Sequence, residues 1–420
     1  MMQPWRGPAR GRRSFLVRAG RAMLLALAAG AGSKLMADAD SRASVCGTAT
    51  GGARRVRLFL CGDAMTGRAI DQIQRYPGNP RIHEPYARSA LQYLEIAERA
   101  SGPIPREVAP DYIWGDALAA IERARPDARI VNLETAVTER GEPWPGKGIQ
   151  YRMHPANVAC LTAARIDCCV LANNHVLDWG RDGLDETLDV LRAAGLRTAG
   201  AGHDAAEASA PAAIEASDGG RVLVFGFGSP SSGVPGEWAA TPDRSGVCVL
   251  DEADDRELQR VAQLVRASRR AGDVVVASIH WGGNWGYGVA GDQRSFAHRL
   301  VESAGVDVVH GHSSHHPRPI EVHRGKLILY GCGDFLNDYE GIGGYEALRP
   351  ELGFMYFPEL DASDGSLVRL VLVPTRIGRF RVNLATAEER QWLLETLNGE
   401  SRVFGTQLVE LADGSLELRW

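Results

Sequence analysis

Residues 170–180 read VLANNHVLDWG, and the order of residue types in this stretch decides the fold. An apolar run stops abruptly at Asn173, Asn174 and His175, and Asp178 and Gly180 follow. Next comes DGLDETLDVLRAAG, in which Leu184, Leu188 and Leu191 share one helical face and Gly195 provides a C-cap. The stretch is therefore a strand, a polar turn and an amphipathic helix. One Asn at a strand end is turn chemistry. Two Asn and a His together imply a further use.

The same unit recurs in both directions. Strand-like runs are VRLFLCGD, ARIVNLE, DCCVLANN, RVLVFGFG, DVVVASIHWG, VDVVHGH and KLILYGCGDF. They are nearly continuous in Val, Ile and Leu, as expected of a sheet covered on both faces. DDRELQRVAQLVRASRRAG and DQRSFAHRLVESAG are helical patterns between them, each ending in Gly. Strand–helix alternation predicts the α/β class. From Glu359 onward LVRLVLVPTRI, RFRVNLA and GSLELRW read as short strands around the helix TAEERQWLLETLNG. We assign 54–358 to the main domain and 359–420 to a β-rich C-terminal extension of that domain.

The beginning of the chain differs in charge. Between Met1 and Ala37 there is no acidic residue, whereas Arg6, Arg10, Arg12, Arg13, Arg18 and Arg21 precede the apolar AMLLALAAGAG. A basic segment followed by a short apolar run predicts a signal peptide over 1–37. The pair Arg12–Arg13 before Ser14, Phe15 and Leu16 resembles a twin-arginine export signal. A Gly/Ala/Ser-rich linker over 38–53 follows. The expected location is outside the cytoplasm, either periplasmic or secreted, with membrane attachment through an uncut N-terminus as the alternative. The net charge of −5 and 7% aromatic content show no basic stripe for nucleic acid. The seven Cys are scattered without a CxxC, and read as buried small hydrophobes.

Five of the strand-like runs share a habit: they end in a side chain that binds metals. Asp63, Glu134, Asn174 with His175, His280, and His312 with His315 all fall at such ends. In α/β sheets ligands gather outside the carboxyl ends of strands, so these residues would converge on one crevice. A mixed oxygen and imidazole set without thiolate suits Zn, Mn or Fe. Two such divalent ions would activate water and polarise a phosphoryl or acyl oxygen. His175 is the candidate proton-transfer group, its tautomer fixed by Asp178 or by a backbone carbonyl. Taken singly, Asp63 reads as a turn cap, Glu134 as a first-turn acid and His298 as helix surface; the coincidence of strand ends is the argument. FGFGSPSSG carries GxG but continues into Pro and Ser instead of a helix, so a dinucleotide fingerprint fails.

The stretches GDAMTGR, ARIVNLETAVT, LANNHVLDWGRDGLDETLDVLRAAGLRTAGAG, IHWGGNWGY and DQRSFAHRLVESAGVDVVHGHSSHHPRPIEVHRGKLILYGCGDF, in this order, resemble the CapA family of capsule biosynthesis and poly-γ-glutamate synthesis proteins, a branch of the calcineurin-like metallophosphoesterases. The resemblance covers roughly residues 56–336. It implies a four-layer α/β/β/α metallophosphoesterase-like sandwich. By position Asp63 matches the family's GD aspartate, Glu134 its NLE glutamate, Asn174–His175 its NNH pair, His280 its HWG histidine and His315 the last His of its GHHPH segment. Metal would then lie on Asp63, Glu134, Asn174, His280 and His315, with His312 as the strand-end ligand that compensates for Ser313, and His175, oriented by Asp178, would handle the proton. There are departures: Ser313 stands where the family commonly has a second His, Asn284 where it has Glu, and Asp334 where it has Asn. The implied function is a metal-dependent hydrolase of phosphoester or γ-glutamyl amide bonds. It would act in synthesis, release or anchoring of an anionic capsular polymer such as poly-γ-glutamate, alongside membrane-bound polymer-synthase components. The alternative is a non-catalytic accessory subunit of a surface-polymer synthase or export complex.

Overall fold

The apolar runs become the strands of two large sheets. A computed structural model describes residues 54–217 and 219–420, all within one compact unit, Gly51–Trp420. The expected signal peptide (1–37) and linker (38–53) lie outside the described residues. In chain order the strands of the two sheets are β1 (Arg55–Ala64), β2 (Ala128–Leu133), β3 (Cys168–Val170), β4 (Arg197–Ala199), β5 (Ala212–Glu215), β6 (Arg221–Gly228), β7 (Val274–His280) and β8 (Val308–His312). They continue with β9 (Ile320–His323), β10 (Lys326–Leu329), β11 (Asp334–Leu336), β12 (Leu352–Asp361), β13 (Leu367–Ile377), β14 (Val382–Leu384), β15 (Gln407–Glu410) and β16 (Leu416–Arg419). The longer helices are α1 (Ala90–Ser101), α2 (Ala117–Ala124), α3 (Gly180–Ala193), α4 (Asp255–Ser268), α5 (Gly291–Ser303) and α6 (Ala387–Ser401).

The first sheet has the order β15-β16-β13-β12-β1-β2-β3-β4, with β11 also on β1 and β14 on β13. Strands β1 to β4 are mutually parallel. The second sheet has the order β9-β10-β8-β7-β6-β5, with β6, β7, β8 and β10 parallel. Side chains alternate across each strand, and both faces are buried, which is why the sequence runs read as continuously apolar. Leu58, Leu60, Ile130 and Val170 turn inward and meet Val224, Val276, Val308 and Leu329 of the other sheet. Phe59, Val131 and Cys169 turn outward onto Leu94 of α1, Ile121 of α2 and Leu184 and Leu188 of α3. On the far side Phe225, Val275 and Val309 meet Val261 and Val265 of α4 and Phe296 and Leu300 of α5. Helices, sheet, sheet and helices thus form successive layers. Full burial of each such aliphatic side chain contributes about 1.5–3 kcal/mol.

Strand β12 runs through residue 358, where the sequence reading divides main domain from extension, and pairs antiparallel with β1 from Arg55↔Asp361 to Leu60↔Tyr356. The C-terminal strands therefore widen the first sheet from its central strand outward. Leu393 and Leu397 of α6 join the core between the sheets. The described cysteines, Cys61, Cys160, Cys168, Cys169, Cys248 and Cys332, are all buried and free.

Candidate metal centre

Four of the parallel strands, β1, β2, β7 and β8, bring polar residues at their carboxyl ends to one cluster. Asp63 lies one residue before the end of β1, in register with Asn132 of β2 and Asp334 of β11. This crowding demands glycine next door. A Cβ on Gly62 would stand 1.7 Å from the carbonyl oxygen of Gly333, and the Asp63 amide donates to that oxygen at 3.0 Å. Glu134 follows β2 directly, His280 ends β7 and His312 ends β8. Asp63, His280 and His312 form one buried set whose ligand atoms lie within 4.8 Å of one another, and Asp63, His315 and Asp334 form a second. Asp63 belongs to both sets. His280 Nε2 stands 3.9 Å from Glu134 Oε1, and His312 Nδ1 stands 3.9 Å from Asp63 Oδ1. Those gaps are too long for hydrogen bonds, but they suit two ligands facing one ion.

The polar turn after β3 divides its labour. Asn173 is structural: its amide donates to Asn132 Oδ1 and Leu133 O, and its oxygen accepts from the amides of His175 and Val176. Asn132 in turn donates to Asp63 Oδ1 at 2.8 Å. Asn174 instead has a buried carbonyl oxygen with no donor, and Glu134 Oε2 is likewise without a partner. His175 Nδ1 meets Asp178 Oδ2 at 2.7 Å, while its Nε2 stands 3.7 Å from Glu134 Oε1. The imidazole packs edge-on against Tyr151, whose backbone amide also donates to Asp178. His175 thus faces Glu134 of the cluster, held there by Asn173 and Asp178, and Asn174 beside it keeps an unpartnered oxygen.

Electrostatics points the same way. Burial, then Asp334, pushes the Asp63 carboxyl up to about 7. Burial, then Asp63, pushes Glu134 well above the usual carboxylate range. Burial holds His280 and His312 well below the usual imidazole value and His175 down at about 4, so all three are neutral, as metal ligands and bases must be. His315 alone is raised: burial opposes its charge, but Asp334 at 2.9 Å outweighs it. Crowded carboxylates, neutral imidazoles and two orphaned acceptors, Glu134 Oε2 and Asn174 Oδ1, fit a site for divalent cations.

Of the site residues expected from the sequence, the structure brings Asp63, Glu134, His175, Asp178, His280, His312 and His315 together, and Asn174 stands next to His175 in the turn. Several neighbours were not on that list. Asp334 opens β11 instead of ending a strand, so the strand-end habit did not mark it. Lys147 carried no signal: it sits in an irregular loop, 2.6 Å from Asp178 Oδ1 and 3.1 Å from His175 Nδ1. Ser313 holds a positive φ of 99° and uses its amide on Asp63, while its hydroxyl turns away to Gly282 O. Asn284 reaches His315 Nε2 at 3.1 Å. His310 is structural, held between Ser278 Oγ and Cys61 O.

A double-sheet α/β protein with carboxylate, amide and imidazole groups gathered at its strand ends is the class that these observations define. The chain belongs to the bacterial capsule synthesis protein family PGA_cap, whose profile matches residues 57–339. It is 46% identical over 364 residues to a probable polyglutamine synthesis accessory protein of Mycobacterium tuberculosis, covering 86% of this chain and 96% of that one. It is 27% identical over 323 residues to the PGA biosynthesis protein CapA of Bacillus subtilis, covering 76% of this chain and 69% of that one. The capsule biosynthesis protein CapA of Bacillus anthracis is 27% identical over 288 residues, 68% of this chain and 60% of that one.

Proposed function

We propose that the protein is an exported metal-dependent hydrolase with a metallophosphoesterase-like sandwich, acting in the synthesis, release or anchoring of an anionic capsular polymer of the poly-γ-glutamate type. The observation that carries this reading is the buried set around Asp63, with orphaned acceptors on Glu134 and Asn174 and a carboxyl pushed up to about 7. Asp63 would bridge two positions. Glu134, Asn174, His280 and His312 would serve one side, and His315 with Asp334 the other. Divalent ions bound there, Zn, Mn or Fe, would supply a nucleophile from water and polarise the scissile phosphoryl or acyl oxygen. His175, with Nδ1–H given to Asp178, keeps the Nε2 lone pair to take a proton and return it to the leaving group. Export through the twin-arginine segment would put this site on the same side of the membrane as the polymer.

A second reading, a non-catalytic accessory subunit working with synthase components, is favoured by one feature. Both His315 nitrogens are engaged, by Asp334 and by Asn284, so the second position is partly filled by the protein itself. The Mycobacterium tuberculosis relative, a probable polyglutamine synthesis accessory protein, is in keeping with it.

Metal content decides between them. About two equivalents of Zn, Mn or Fe in protein purified without chelator, lost in Asp63→Asn and kept in His175→Ala, together with hydrolysis of a phosphoester or γ-glutamyl amide, support the hydrolase. No stoichiometric metal that depends on Asp63 after reconstitution of the folded protein overturns it and leaves the accessory role.

A further inference from the structure

A second group of ligands lies at the β9 edge of the second sheet. His298 of α5 and Glu321 and His323 of β9 bring one ligand atom each within 4.8 Å of the others. We propose that these three residues form a second, independent site for a borderline transition metal such as Zn²⁺. The proposal does not depend on the hydrolase reading.

Three observations carry it. First, the ligand atoms stand ready. His298 Nε2 and Glu321 Oε2 are 3.0 Å apart, close to the roughly 3.4 Å between two ligands on one tetrahedral zinc. Glu321 and His323 lie on one face of edge strand β9, and the His323 ring stacks on that of His298, 3.8 Å between centroids and 6° between planes, so one ring turns about its side-chain torsion for both lone pairs to meet one ion. Second, the groups behind the ligands are in place. Arg294 donates to Glu321 Oε1 and Tyr330 to Oε2, each at 2.6 Å, which fixes the carboxylate with Oε2 also against His298. Glu302 holds His323 Nε2 at 2.8 Å, which leaves Nδ1 as the lone-pair nitrogen; a carboxylate behind a ligating imidazole is the usual way its tautomer is set. Third, the site is half-buried yet reachable. The side chains of Glu321, His298 and His323 are 5%, 25% and 21% exposed, and a groove of about 450 Å³ lined by Gly291, Arg294, Ser295, His298, Arg299 and Glu302 opens beside them. His298, which the sequence suggested was plain helix surface, is thus tied to two strand residues.

Metal uptake exchanges the His298–Glu321 hydrogen bond for two bonds to the ion, and the imidazole proton passes from Nε2 to Nδ1. Water completes the coordination. Two imidazoles and one carboxylate favour Zn²⁺, Ni²⁺ or Cu²⁺ over Mg²⁺ and Ca²⁺. Arg294 on Glu321 and Arg324 on Glu302 temper the negative charge, so the site depends on its imidazoles more than on charge.

The test is a Zn²⁺ titration of chelator-stripped full chain against a chromophoric competitor. Wild type is expected to take up one equivalent more than His298→Asn or His323→Asn, with no such difference for Mg²⁺. Glu302→Gln, which spares all three ligands, is expected to weaken that equivalent about 10–100-fold. Equal zinc stoichiometry in wild type and the folded His variants overturns the proposal. Should those variants not fold, imidazole ¹⁵N spectra of wild type serve instead. Zinc-dependent shifts at His298 and His323 support the site, and unmoved resonances overturn it.

Discussion

Replacing Asp63 by Asn should stabilise the metal-free protein at pH 8 while abolishing its stabilisation by metal. Burial and Asp334 lift the Asp63 carboxyl from its ordinary 3.8 to about 7. At about 1.4 kcal/mol per tenfold change in proton affinity, holding the carboxylate ionised in the native state costs about 4 kcal/mol. The sign follows from proton binding. Between about pH 4 and pH 7 the native state holds a proton that the unfolded state has released, so stability falls as pH rises through that window. The cost is fully present above about pH 7 and absent below about pH 4. An Asn keeps an oxygen for the Asn132 amide at 2.8 Å but turns an NH₂ toward the Ser313 amide, losing a bond worth about 1–2 kcal/mol. The net gain for Asp63→Asn is then about 2–3 kcal/mol at pH 8, turning into a small loss at pH 4. Denaturant unfolding in chelator at the two pH values measures it. In a His323→Asn background, which removes the second site, protein with Asp63 and metal at a hundred times its dissociation constant should gain about 2.7 kcal/mol, and the Asp63→Asn variant none. A variant no more stable than wild type at pH 8 without metal, or one stabilised by metal to the same extent, refutes the reasoning that Asp63 is a carboxylate kept under strain for a cation.

Other substitutions probe the neighbours. His175→Ala should keep its metal and lower turnover of any hydrolysed substrate by about 100- to 10,000-fold, read as kcat at saturating metal. Lys147 lowers the proton affinity of His175, so Lys147→Met should raise the His175 pKa above about 4, as followed by imidazole NMR in chelator. Gly62→Ala drives a methyl into the Gly333 carbonyl and should displace β11 and Asp334 from Asp63, seen as a lower unfolding midpoint together with weaker metal binding. Leu60→Ala, buried between the sheets, should cost about 2–5 kcal/mol at unchanged metal stoichiometry.

The local patterns in the chain were enough to place Asp63, Glu134, His280 and His312, because each sits at the end of an apolar run whose period and length mark a strand, and parallel α/β strands present their carboxyl ends together. The strand–turn–helix at 170–195 was legible for the same reason, as were the C-terminal strands and the helix between them. Other features depended on pairing between segments far apart in sequence, which no local pattern encodes. β1 takes β2 and β11 on one side and β12 on the other, so Asp334 comes to lie beside Asp63 and the C-terminal strands complete the first sheet. Lys147 meets Asp178 only because an irregular loop folds over the turn. Asn173 proved structural and Asn174 orphaned, a difference set by which amide faces Asn132. His298 meets Glu321 and His323 through helix-on-strand packing across more than twenty residues of sequence. Periodicity in a sequence reports which face a residue occupies; only the packing of one element against another decides what stands opposite.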